Sequence, residues 1–242
     1  YRRVMDELPQ AYVLVVRSLV AQGKRAEAAT LCLEAAEGDP TPEEAAVLAG
    51  VLTTSGPLSE ELADALAAVE RAAEKHNDDI QLLQAAAVLK ATQGDYDNAI
   101  SLFRRLVELQ PENPLALNNL ATLLAERPNQ LGEALEMAER AIDLAGRTAA
   151  LLDTQGTVLL KMGEHDQAIA ALEEATSGGA RDTRYYFPLA AAYWKAERLD
   201  DAARSMEVAR QLGLAESILT NDDRKLLTEL DAATQPAVQG AN

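Results

Sequence analysis

The stretch GDYDNAISLFRRLVELQPEN, Gly94 to Asn113, constrains this chain more than any other, because variants of it return along almost the whole sequence. It reads as the second half of a helix–turn–helix unit about 34 residues long. Such a unit cannot bury its apolar face alone, so copies must stack on one another. Stacking predicts an all-α chain. It also moves the functional question from catalysis to what the stacked surface holds.

The spacing has a physical grammar. In the best copy Ala86 and Ala87 are followed by Gly94, Ala99, Phe103 and Pro111. Small residues in the first helix let the second approach closely. Gly94 supplies the positive φ with which a helix is left. Ala99 lies one turn before Phe103, on the same face. Pro111 stops the second helix.

The same places recur as Val16, Gly23, Ala28, Cys32, Ala35 and Pro40, then as Gly50, Ala65, Val69 and Ala72. Next come Leu120–Ala121, Ala134, Ala138 and Ala141, then Gly156, Gly163, Ala168, Leu172 and Ala175, and finally Leu189–Ala190, Tyr193, Ala202, Met206 and Ala209. Extra residues are expected in turns, about three near Gly56–Pro57 and about one near Pro128, where added length costs little.

This pattern resembles the tetratricopeptide repeat family, whose signature sets a large residue, Leu-Gly, Tyr, Ala, Phe and Pro at fixed offsets. Tyr12 or Tyr186 fills the first aromatic place, Gly50 and Gly156 keep the glycine, and Tyr193 keeps the tyrosine. Gln155 stands where Leu is usual and Glu197 where the turn glycine is usual. The resemblance implies a right-handed α-solenoid with repeats at 9–42, 43–79, 80–113, 114–148, 149–182 and 183–216. The segment from Asn118 to Ala175 is similar to long bacterial proteins carrying many such repeats.

The ends read differently. YRRVMDELP at the start resembles FRRLVELQP at Phe103–Pro111, so residues 1–8 are expected to be the remnant of an earlier repeat in a longer protein. Residues 217–233 carry Leu226, Leu227 and Leu230 as one apolar stripe, behind a Thr220 or Asn221 cap with Asp222 and Asp223 favouring the dipole. That predicts a helix capping the last repeat. The tail, 234–242, lacks apolar periodicity and is expected to be mobile.

The net charge of −17 argues against nucleic acid and anionic lipid, which demand a basic surface. Residues 43–79 hold nine acids (Glu43, Glu44, Glu60, Glu61, Asp64, Glu70, Glu74, Asp78 and Asp79). They read as a solvated outer face or as a surface that steers a partner of basic character. One cysteine, Cys32, at a core place, excludes an internal disulfide. The compartment stays open, with a cytosolic setting favoured. No apolar run approaches a membrane span.

Catalytic and metal constellations are missing from the sequence. His76 and His165 are far apart and belong to no Cys/His or HExxH pattern. There is no GxSxG, and Gly178–Gly179 ends a helix without a following Lys-Ser/Thr. Adjacent acids such as Glu173–Glu174 diverge on a helix. The expectation is a non-enzyme with no metal and no cofactor.

What remains is the inner surface. The resemblance implies that the first helix of each unit lines the concave side through its second, fifth, sixth, ninth, twelfth and thirteenth places. The early units then offer an apolar lining, including Leu14, Val47, Leu48 and Val51. The later ones are polar: Asn118, Asn119, Thr122, Asp153 and Thr157. The sixth brings Arg184, Phe187 and Trp194. Asn118 and Asn119 are poor helix formers whose amides suit the backbone of an extended ligand, or simply solvate the inner face. Trp194 serves as a binding anchor or as packing under the last helix. The fifth and sixth places carry no Lys or Arg, so the carboxylate grip of some tetratricopeptide domains is not expected. These residues predict a scaffold that binds a peptide segment or a partner domain. The alternative is a spacer or self-assembly arm whose groove is filled by the chain itself or by a second copy.

Overall fold

Turn and cap chemistry punctuates the chain into thirteen helices among the residues 9–54, 62–177, 183–214 and 221–234 that a computed structural model describes. They are α1 (Pro9–Ala21), α2 (Arg25–Ala35), α3 (Pro42–Leu52), α4 (Ala63–Lys75), α5 (Ile80–Thr92), α6 (Tyr96–Leu109), α7 (Pro114–Leu124), α8 (Leu131–Ala145), α9 (Ala149–Met162), α10 (His165–Ser177), α11 (Thr183–Lys195), α12 (Leu199–Gln211) and α13 (Asn221–Thr234). The architecture is an all-α repeat solenoid of helical hairpins.

Three first helices, α3, α5 and α7, start on side-chain caps. Thr41 accepts from the Glu44 N–H while the Glu44 carboxylate accepts from the Thr41 N–H, a reciprocal box before α3. Asp79 accepts from Leu82 N at 2.8 Å, and Asn113 accepts from the N–H groups of Leu115 and Ala116. Pro42 and Pro114 occupy first-turn positions, where no N–H is needed.

Four first helices, α1, α5, α9 and α11, leave through a left-handed residue. Gly23, Gly94 and Gly163 have φ of +75°, +77° and +84°. In each case the next N–H reaches back to a carbonyl five residues earlier, as from Asp95 to Lys90 at 3.0 Å. Glu197 does the same without being glycine: its φ is +60°, and Arg198 N bonds Tyr193 O at 2.9 Å.

Two compact units divide the chain, Tyr1–Pro111 and Glu112–Asn242. In the first, the hairpins α1/α2, α3/α4 and α5/α6 stack, with α3 also against α5. Arg25 on α2 ties the first hairpin to the second by donating to the carbonyls of Val51 and Leu52 at the end of α3. In the second unit the hairpins are α7/α8, α9/α10 and α11/α12, and α13 packs on α12 and α11 through buried Leu227 and Leu230.

One place in the second helices sets the spacing within each hairpin. Ala28, Ala65, Ala99, Ala134, Ala168 and Ala202 are all 0% exposed. One turn later Cys32, Val69, Phe103, Ala138, Leu172 and Met206 are buried as well. Burial pushes the Cys32 thiol above its ordinary range, which keeps it a poor nucleophile.

The second hairpin corrects the expected register. It starts at Pro42, not Glu43, because the loop before it closes one residue sooner through two successive left-handed residues, Glu37 and Gly38. The small residue buried against the next helix is therefore Ala49, fully buried, while Gly50 is exposed. The opening segment 1–8, the turn at Gly56–Pro57, the Gly178–Gly179 helix end, the Thr220 cap and the tail beyond Thr234 lie outside the described residues. So do the side chains of Asn221, Asp222 and Asp223.

Candidate partner-binding site

Side chains one or two turns apart on neighbouring first helices converge on one face in each unit. In the first unit Gly50 of α3 and Thr53 just after it meet Gln81, Gln84, Ala85 and Val88 of α5 around a cavity of about 360 Å³. The one-residue register difference decides which expected residues reach it. Leu48 and Val51, expected on the lining, are instead buried in the core at 1% and 3% exposure. Val47 is half-buried against that core. Leu14 on α1 is 65% exposed.

In the second unit Asn118 and Thr122 of α7, Asp153 and Thr157 of α9 and Arg184 of α11 line one cavity of about 290 Å³. Five residues named from the sequence are thus brought together on three successive first helices. Asn119 is half-buried beside them and does not line the cavity. The Oδ1 of Asn118 is buried and accepts no hydrogen bond. Such an acceptor costs about 1–3 kcal/mol until something donates to it. Thr122 and Thr154 turn their hydroxyls inward, onto the carbonyls of Asn118 and Ala150.

A larger cavity of about 630 Å³ adjoins this one and shares Ala125, Glu126 and Thr157 with it. Its walls come from the ends of α7 and α9, the middle of α11 and the helix α13. Phe187, expected on the open lining, is buried at 5% exposure and reaches only this wall. α11 runs on past Phe187 through Pro188, although proline has no N–H to donate within the helix. Trp194 is partly buried against the C-terminal core, with the Lys195 ammonium 4.1 Å from its ring centroid.

Polar contacts tie neighbouring helices together around this face. Lys161 at the end of α9 pairs with Glu126 at 2.7 Å, and Arg147 grips Glu174 through two bonds at 2.8 and 2.6 Å. The Tyr193 hydroxyl donates to the Glu173 carboxylate, while Arg198 stacks over the Tyr193 ring at 4.5 Å. Burial, with that carboxylate, pushes the Tyr193 phenol up to about 12. Three of the nine acids in the stretch 43–79 are engaged locally: Glu44 closes a cap, Glu70 pairs with Lys90, and Asp79 caps α5.

Sequence reading missed the wall made by α13, where Lys225, Leu226 and Glu229 line the larger cavity. His165, at the start of α10, lines that cavity as well. Among the described residues, no three His, Cys, Asp or Glu side chains group to hold a metal, and no helix is long and apolar enough to cross a membrane.

Comparison with known proteins agrees with the fold. A family model described as "Anaphase-promoting complex, cyclosome, subunit 3" matches residues 92–175, and one described as "Tetratricopeptide repeat" matches residues 154–213. A stretch of 108 residues, 45% of this chain, is 28% identical to the TPR repeat-containing protein PA4667 of Pseudomonas aeruginosa, and covers 18% of that protein's length. Among solved structures, a tetratricopeptide repeat protein from Parabacteroides merdae superposes with a TM-score of 0.70 at 18% identity, over 93% of this chain and 86% of the other. Pseudomonas aeruginosa pilF superposes at 0.65 with 19% identity, over 93% and 98%. TTC0263 of Thermus thermophilus does so at 0.60 with 22% identity, over 80% and 98%. Together with the helical hairpins stacked in both units, the repeat model at residues 154–213 and the repeat-containing relative support a tetratricopeptide repeat protein.

Proposed function

We propose that this chain is a protein-interaction module that holds an extended peptide segment of a partner on the face formed by α7, α9 and α11. Tetratricopeptide repeat folds generally mediate protein–protein interactions, and their members are typically non-catalytic scaffolds. The observation that carries the finer reading is the buried Oδ1 of Asn118 in a cavity also lined by Asp153, Thr157 and Arg184. An acceptor placed there is suited to the N–H of an extended backbone. Affinity would come from a few anchors and backbone hydrogen bonds rather than from overall charge.

The test is to pan a random peptide library on the intact chain and re-measure the recovered peptides on a variant with Asn118, Asn119, Asp153 and Trp194 all replaced by Ala. The variant should keep its helical circular-dichroism signal and lose the peptides. Peptides that bind both proteins equally would place the site elsewhere. Sedimentation showing concentration-dependent mass, with no peptide recovered, would favour the self-assembly reading.

A further inference from the structure

All three lysines between Glu112 and Asn242, namely Lys161, Lys195 and Lys225, line the same 630 Å³ cavity. Composition does not account for this, since the chain carries 39 acidic residues against 22 basic ones. Lys161 and Lys195 stand at one place in successive first helices, at the ends of α9 and α11, so the charge recurs one repeat apart. Lys225 adds a third from α13.

Beneath the ammonium groups the cavity is apolar, through Leu131, Leu160, Phe187 and Leu226. Lysine stems lie readily along such a surface while their heads stay at the rim. The acids on the wall are Glu126 and Glu229, and Glu126 is engaged by Lys161. Lys195 makes no ion pair among the described residues, and its ammonium rests over the Trp194 ring. The result is an apolar socket with a cationic rim in a chain of net charge −17.

We propose that this socket seats an apolar side chain of a partner peptide whose flanking residues are Asp or Glu. The floor would take the anchor and Lys195 would pair with a flanking carboxylate, with Lys161 and Lys225 adding to the positive field at the rim. The inference rests on reading the adjoining face as a peptide site. Because the two cavities share Ala125, Glu126 and Thr157, a strand leaving the socket runs onto the Asn118 wall. A polyanionic surface such as nucleic acid or a charged bilayer is disfavoured by the net charge around the socket.

Fluorescence anisotropy on the full chain tests this with two labelled pools of short peptides. One sets Leu, Ile, Met or Phe between Asp and Glu, and the other sets the same residues between Lys and Arg. The acidic pool should bind, more weakly as salt rises, and the basic pool should not. Replacing all three lysines by Gln should weaken binding about tenfold or more, and replacing them by Arg should preserve it. Leu160→Asp should abolish it, with circular dichroism confirming each fold. Equal binding of both pools, or acidic binding indifferent to the lysines, would overturn the proposal. So would lysine-dependent binding of phosphatidylserine vesicles with none of the acidic pool. If the acidic pool fails while library panning still yields Asn118-dependent peptides, this inference falls and the groove reading stands. If both fail, both fall.

Discussion

A methyl group added at Gly156 would lie 2.5 Å from Cγ of Leu172, so α9 and α10 touch where only a hydrogen fits. Gly50, the other glycine inside a first helix, meets nothing within 4 Å. Gly156→Ala should therefore destabilise by about 1–3 kcal/mol through overpacking. Gly50→Ala should stabilise by about 0.5–1 kcal/mol, because alanine is the better helix former and loses less freedom on folding. Urea midpoints of the two variants, moving in opposite directions, check both.

Glu197 carries a turn that glycine carries elsewhere. A left-handed conformation costs a residue with a Cβ about 1–2 kcal/mol. Glu197→Gly should raise the thermal midpoint, and Gly163→Ala, at the matching turn, should lower it. Similar midpoints for Glu197→Gly and the native chain would show that the turn is not under strain.

Alkaline pH should loosen the second unit through Tyr193. Its phenol titrates near 12 in the fold, above its ordinary value, because of burial and the Glu173 carboxylate. A group whose value is raised on folding lends stability that is complete below its unfolded value and is lost as pH rises through the folded one. Urea midpoints should thus fall between about pH 10 and 12. Tyr193→Phe should flatten that fall. Some slope should persist, since burial also raises the Tyr12 phenol.

Helix caps offer a local check. Thr41→Ala removes one arm of the box with Glu44, and Asn113→Ala removes the acceptor for Leu115 and Ala116. Each should cost about 1 kcal/mol, read from the urea midpoint, whereas Thr41→Ser should cost little.

The hairpins were legible in the sequence because their constraints are local. Alanine recurs where helices touch, and glycine recurs where the chain turns left-handed. The offset of α3 was not legible, since Ala49 and Gly50 are both small and either could fill the buried place. Only the loop at Glu37–Gly38 shows which one does, and with it why Leu48 and Val51 face inward. The Asn118, Asp153 and Arg184 grouping was implied by the resemblance to tetratricopeptide repeats, which sets the first helix of each unit on the inner side. The lysine-rimmed socket was not, because Lys225 belongs to a helix outside the repeat, and no periodicity relates it to Lys161 and Lys195.

The shortened loop at Glu37–Gly38 reaches beyond its own residues. One residue fewer there carries the next hairpin round by one position, so that Ala49 and not Gly50 is buried and Leu48 and Val51 turn to the interior. The seam between hairpins, as much as the coil itself, thereby selects which side chains α3 shows to solvent.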